Sequence, residues 1–154
     1  MYKRILVPID GSVTANRGLE EAIRLATGLH ATLVLLHVVN ERPAVLETAS
    51  AIAFDEVRRQ MLKEGDKLLG DASLWALDAG VTSEAVLKEL PAGRIADVIV
   101  AEAAHTACDL IVIGTHGRRG MSRLLLGSDA ELVVRESPVP VMLVRRPPPE
   151  ASST

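Results

Sequence analysis

Along the chain, short and almost purely aliphatic runs alternate with longer stretches in which apolar residues return every third or fourth position. The first run, Arg4 to Ile9, is too continuous for a strand with one wet face and predicts a strand covered on both sides. From Thr14 to Leu29, the residues Ala15, Leu19, Ala22, Ile23 and Ala26 fall on one side of a helix. Ala31 to Val39 predicts a second strand, followed by a Pro-containing loop from Asn40 to about residue 50. Ala51 to Ala79 reads as a long helix with Phe54, Val57, Met61, Leu68, Ala72 and Trp75 as its inward stripe, weakened in the middle by Gly65 and Gly70. Thr82 to Leu87 predicts a weaker third strand. Gly93 to Thr106 predicts a helix that buries Ile95, Val98, Ile99 and Ala103. Asp109 to Gly114, Ser128 to Glu136 and Val139 to Val144 then read as strand, helix and strand.

Such alternation predicts an α/β fold, a doubly wound five-stranded parallel sheet with helices on both faces, because each crossover returns right-handedly to the same sheet. Ligands of such sheets bind beyond the carboxyl ends of the strands, where the winding reverses. The ends of the first and fourth strands carry Pro8-Ile-Asp-Gly-Ser12 and Gly114-Thr-His-Gly117. Residues 1–145 are expected to form a single domain, and the Pro/Ser-rich tail 146–154 to be disordered.

Composition narrows the picture. With 48% hydrophobic but only 2% aromatic residues, the core must be aliphatic. A formal net charge of −3 gives no general attraction to nucleic acid or an anionic membrane. Arg118, Arg119 and Arg123 are the local exception. A lone Cys108 excludes an internal disulfide, and no run approaches the roughly 18 apolar residues of a membrane span. A cytoplasmic protein is expected, since Met-Tyr-Lys-Arg-Ile-Leu-Val-Pro lacks the features of a signal peptide.

The candidate chemistry lies in the segment Gly114 to Ser128. A glycine-rich turn between strand and helix can wrap bare amides around an anion, with the helix N-terminus adding positive potential. Gly114 ends a strand, and Gly117 lets the backbone approach a phosphate without a Cβ in the way. Gly127 opens the fourth helix, and Ser128 can donate its hydroxyl and amide to a phosphate oxygen. Ser128-x-x-Glu131 is equally a capping box. Arg118 and Arg119 could screen phosphate charge or simply be solvated, and His116 is read as acting chiefly through its backbone, with a general-base role as the lesser alternative. His37 reads as a core histidine. His105 and Cys108 do not make a zinc pattern. A Walker loop, a dinucleotide fingerprint, the acidic cluster of a receiver domain and a Gly-x-Ser-x-Gly elbow are all missing from the sequence.

The spacing Gly-x2-Gly-x9-Gly-Ser formed by Gly114, Gly117, Gly127 and Ser128 occurs with Ile5-Leu-Val-Pro-Ile-Asp-Gly-Ser12 and Ser137-Pro-Val-Pro-Val-Met-Leu-Val144. Together these resemble the universal stress protein family, in the branch that holds ATP, from about residue 2 to 144. The resemblance implies strand order 3-2-1-4-5, a homodimer, and ATP or another adenine nucleotide such as AMP. It places Asp10 at the ribose hydroxyls or at a phosphate-bound Mg²⁺, and Pro8 and Val38 along the adenine. Its nucleotide-binding set is Pro8, Asp10, Val38, Gly114, Thr115, His116, Gly117, Arg118, Arg119, Gly127, Ser128 and Asp129. The implied function is an ATP-binding stress-response or signalling module that reports to a protein partner. The alternatives are a slow Mg-dependent ATPase and a nucleotide-free structural dimer. The fifth strand, Val139–Val144, would be an exposed edge there and is the expected dimer contact.

Overall fold

The structure, a computed structural model, describes residues 1–41, 50–116 and 126–146. Gly117, Arg118, Arg119, Arg123, most of the Pro-containing loop and the tail from residue 147 lie outside the described residues. The elements run β1 (Arg4–Pro8), α1 (Val13–Leu29), β2 (Thr32–Asn40), α2 (Ala51–Asp78), β3 (Ser83–Leu90), α3 (Ile95–His105), β4 (Leu110–Gly114), α4 (Ser128–Glu136) and β5 (Val141–Val144). The sheet order is β3-β2-β1-β4-β5, with each neighbouring pair parallel. Winding reverses at β1, so a crevice opens between the carboxyl ends of β1 and β4.

Successive side chains of a strand point to opposite faces, and both faces here are covered. Ile5, Val7, Leu33 and Leu35 pack with Leu19, Ala22, Ile23, Leu69, Ala72 and Ala76 of α1 and α2. Leu6, Val34, Leu36, Ile111 and Ile113 pack with Ala96, Ile99, Ala103, Ala130 and Val133 of α3 and α4. This is why β1 reads as an unbroken aliphatic run. Ile5, Leu6, Leu33 and Ile111 have no exposed surface, and full burial of each such side chain contributes about 1.5–3 kcal/mol.

The amino ends of the strands are tied by charge. The Asp109 carboxylate accepts from the amides of Lys3 (2.9 Å) and Arg4 (3.1 Å). The Arg4 guanidinium donates to the Thr106 carbonyl at 2.8 Å and to both oxygens of Glu84, across β2, at 2.9 and 2.7 Å.

Three elements differ from the sequence reading. β3 extends to Leu90 because its pairing with β2 continues through Leu87, Lys88 and Glu89; its polar residues mask the strand. β5 begins at Val141, two residues later than expected. Pro140 contributes only its carbonyl, which accepts from Ile111 at 3.0 Å.

The inward stripe of α2 is Gly65, Leu69, Ala72 and Ala76, whereas Val57 and Trp75 are 40% and 41% exposed. Small residues bring this helix close to the sheet and leave the large ones on its flanks. A Cβ at Gly65 would lie 2.7 Å from His37 Cδ2 and 2.8 Å from Leu87 Cδ1, so this glycine permits the approach. His37 is buried, as expected of a core histidine, with Nδ1 2.6 Å from the Ile9 carbonyl.

Candidate functional site

Two turns meet over the crevice. In the first, Ile9 continues β1 by donating to the Leu36 carbonyl at 2.7 Å. Asp10 then folds back, its Oδ1 accepting from the Ser12 amide at 2.8 Å, an Asx turn. Gly11 takes φ +79°, the left-handed region open to glycine. Ser12 caps α1, its hydroxyl accepting from the Ala15 amide at 3.1 Å.

The second turn leaves β4 at Gly114. A Cβ there would sit 2.6 Å from the Thr14 carbonyl oxygen, so only glycine fits beneath the first turn of α1. Thr115 is buried, and its amide donates to the Val144 carbonyl at 3.0 Å. The carbonyl of Thr115 accepts from the Gly127 amide at 2.6 Å, bringing the two ends of the glycine-rich segment together. Gly127 is also confined, since its Cβ would meet that carbonyl at 2.9 Å.

Gly127 is the N-cap of α4 and supplies no side chain to it. The first intrahelical bond runs from the Glu131 amide to the Gly127 carbonyl at 2.9 Å. The amides of Ser128, Asp129 and Ala130 find no acceptor among the described residues, and the helix dipole adds to their positive potential. The capping box expected at Ser128 does not form. Ser128 is the exposed first helical residue, one position too late to cap, and the Glu131 carboxylate accepts from Arg135 at 3.2 Å instead. The Ser128 hydroxyl is therefore left out of helix capping.

His116 borders the start of α4, its Cα 3.5 Å from where a Cβ at Gly127 would stand. Its Nδ1 is 3.0 Å from the Thr115 hydroxyl, and its buried Nε2 has no hydrogen-bond partner among the described residues. A buried imidazole nitrogen without a partner is costly unless a ligand or water completes it. From the sequence, His116 is read chiefly as a backbone contributor, with a general-base role for its ring as the lesser alternative.

The electrostatics are mixed. Burial, and secondly the charge of Asp10, hold the Asp129 carboxyl above its ordinary value, so the two carboxylates share one field beside the start of α4. An anion at those amides would meet both. Pro8 and Val38 lie on the strands flanking the crevice, Pro8 paired with Leu36 two positions before Val38. Val38, Val86, Ile95 and Leu126 are partly buried aliphatic side chains packed against the core on the α3/α4 side. Gly117, Arg118 and Arg119 of the expected set fall outside the described residues.

Two cavities among the described residues lie elsewhere: one of about 210 Å³ lined by Ile9, Leu19, Leu68 and Trp75 on the α1/α2 side of the sheet, and one of about 310 Å³ lined by Ala26, His30, Thr32 and Val81 at the start of β2, away from the glycine turns. Among the described residues no three His, Cys, Asp or Glu side chains are grouped to hold a metal. Burial pushes the Cys108 thiol up, away from the reactive thiolate. No helix among the described residues is long and apolar enough to cross a membrane.

Residues 1–145 match the model of the universal stress protein family. Universal stress protein YxiE of Bacillus subtilis is 33% identical over 151 residues, which cover 94% of this chain and 100% of that protein. Among solved structures, protein MJ0577 of Methanocaldococcus jannaschii superposes with a TM-score of 0.84 at 29% identity, over 96% of this chain and 98% of that one. A family protein from Arabidopsis thaliana, solved with AMP bound, shares the fold at 23% identity and a TM-score of 0.69, over 98% and 96% of the two chains. Strand order, the turn after β1 and these likenesses converge, and the chain belongs to the universal stress protein family.

Proposed function

We propose that this chain binds an adenine nucleotide, with ATP and Mg²⁺ as the best match, between the turn after β1 and the segment Gly114 to Ser128. The uncapped start of α4 carries this reading: among the described residues the amides of Ser128, Asp129 and Ala130 meet no acceptor and the buried His116 Nε2 has no partner. The aliphatic side chains of Val38, Val86, Ile95 and Leu126, together with Pro8, accept the adenine, with Gly127 and the Ser128 hydroxyl at the phosphates. The Arabidopsis neighbour's AMP supports the same nucleotide class.

Asp10 and Asp129 would repel a polyphosphate at this place, and a divalent cation resolves the conflict. Mg²⁺ takes hard oxygen donors, keeps several waters and is held by one or two carboxylates plus phosphate oxygens, which these residues can supply. Bound there, it would neutralise phosphate charge. Hydrolysis needs a further group to orient an attacking water. Our reading is binding without fast turnover, suited to a module whose nucleotide state is read by a protein partner.

Denaturing purified protein and identifying the released small molecule by mass spectrometry tests occupancy and identity together; an adenine nucleotide is expected. Calorimetry with Mg-ATP on folded protein showing no heat, with no copurifying adenylate, would refute the reading. Multiple turnovers of ATP, abolished by Gly117→Val, would favour the slow ATPase. The homodimer belongs to the same proposal, because β5 ends the sheet with Met142 and Leu143 38% and 39% exposed.

A further inference from the structure

The two turns of the site are joined by one side chain that the glycine motif does not point to. Thr14 is buried in the first turn of α1, and its hydroxyl donates to the carbonyl of His116, the residue immediately before Gly117. The same hydroxyl lies 3.5 Å from the Ser12 hydroxyl, whose own amide donates to Asp10 Oδ1 at 2.8 Å. The Thr14 carbonyl fills the space that a side chain at Gly114 would need. A continuous path, Asp10–Ser12–Thr14–His116, therefore crosses the crevice from the end of β1 to the segment after β4.

Other helical threonines behave differently. Thr27 and Thr106 donate to the carbonyls of Ile23 and Glu102, four residues back in their own helices, at 2.8 and 2.7 Å. Thr14 instead directs its only hydroxyl proton to a carbonyl 102 residues away. Nothing in α1 requires that bond, since Ser12 already caps the helix. Its consequence is local to the site: it ties the backbone of His116 to the first turn of α1, beside Asp10.

We propose that Thr14 is a positioning residue for the nucleotide's phosphates. By clamping the His116 carbonyl to α1, it fixes the separation between the Asp10 turn and the phosphate-binding amides, while leaving the aliphatic residues that take the adenine on β2, β3 and α3 untouched. This rests on the nucleotide-binding reading above.

The test compares Thr14→Val, which keeps shape and removes the donor, with Thr14→Ser, which keeps the donor. Calorimetry is run on each with Mg-ATP and, by displacement, with adenosine. Thr14→Val is expected to weaken Mg-ATP about three- to tenfold, the range one hydrogen bond supplies, while adenosine stays within about twofold of wild type. Thr14→Ser is expected to restore Mg-ATP affinity. Should Thr14→Val not fold, Thr14→Ala takes its place with the same expectation. Unchanged Mg-ATP affinity, an equal loss for Mg-ATP and adenosine, or no rescue by serine would overturn the assignment. Wild-type protein that binds neither ligand would overturn the nucleotide reading itself, a separate and recognisable failure.

Discussion

Gly65 and Gly70 lie five positions apart in α2, and the same substitution is expected to act in opposite directions at the two sites. In a helix interior, glycine is about 1 kcal/mol less favourable than alanine, so propensity alone makes Gly→Ala stabilising at both. At Gly70 nothing lies within 4 Å of the added Cβ, and the gain of about 0.5–1 kcal/mol is realised in full. At Gly65 the added carbon would stand 2.7 Å from His37 Cδ2 and 2.8 Å from Leu87 Cδ1. The Leu87 methyl can rotate, but the His37 ring is pinned through Nδ1 to the Ile9 carbonyl at 2.6 Å. Overpacking of this kind costs about 1–3 kcal/mol, which exceeds the propensity gain. The two variants should therefore differ by about 1–3 kcal/mol. At about 2–4 °C per kcal/mol for a chain of this size, that is roughly 2–12 °C in melting temperature. Thermal melts followed by circular dichroism, repeated with urea midpoints, measure the difference. If Gly65→Ala raises the midpoint as much as Gly70→Ala, α2 does not press on His37 as described, and the explanation of its inward stripe is wrong.

Other expectations concern charge and assembly. Asp129→Asn removes a half-buried carboxylate beside Asp10, so the nucleotide-free protein should melt higher while Mg-ATP affinity falls about tenfold or more (about 1.4 kcal/mol); a lower melting temperature would contradict the electrostatic account. The hydrogen bond from Arg4 holds Glu84 below its ordinary carboxylate value, so this pair stabilises the fold above about pH 4.5 and loses its contribution as the pH falls through the lowered native value. Glu84 is 51% exposed, which keeps the effect under about 1 kcal/mol, and Glu84→Gln should flatten that part of the acid limb in a pH series of melts. Equilibrium sedimentation at micromolar concentration should give a dimer for wild type and a monomer for Leu143→Arg, and a wild-type monomer would remove β5 as the contact.

The order of elements was legible in the sequence because both faces of the sheet are covered, which makes β1 and β4 mostly aliphatic and β2 an aliphatic run interrupted by the buried His37. β3 was the weakest reading because an edge strand with Lys88 and Glu89 takes its identity from pairing with β2 and not from hydrophobicity. The stripe of α2 was misread because size was taken as a sign of burial. Ala72 was read correctly, but Gly65 and Ala76 are also inside since they are small, and Trp75 is on the flank since it is not. At the site, Gly114 and Gly127 were recognisable, and each proved to have no room for a Cβ. The Ser128 capping box failed by a single position, a shift that only backbone dihedrals reveal. Thr14 carried no motif at all; its partner lies 102 residues away, a distance no local pattern encodes.

The clasp formed by Asp109, Arg4, Glu84 and Thr106 lies at the rim of the sheet opposite the glycine turns. The strands are thus tied together at the rim away from the proposed nucleotide site, so the turns at the other rim need not hold the sheet and its helices together. Such a separation lets the upper loops be rewritten for a new guest molecule while the chassis below keeps folding. It makes this scaffold a natural starting point for engineered receptors.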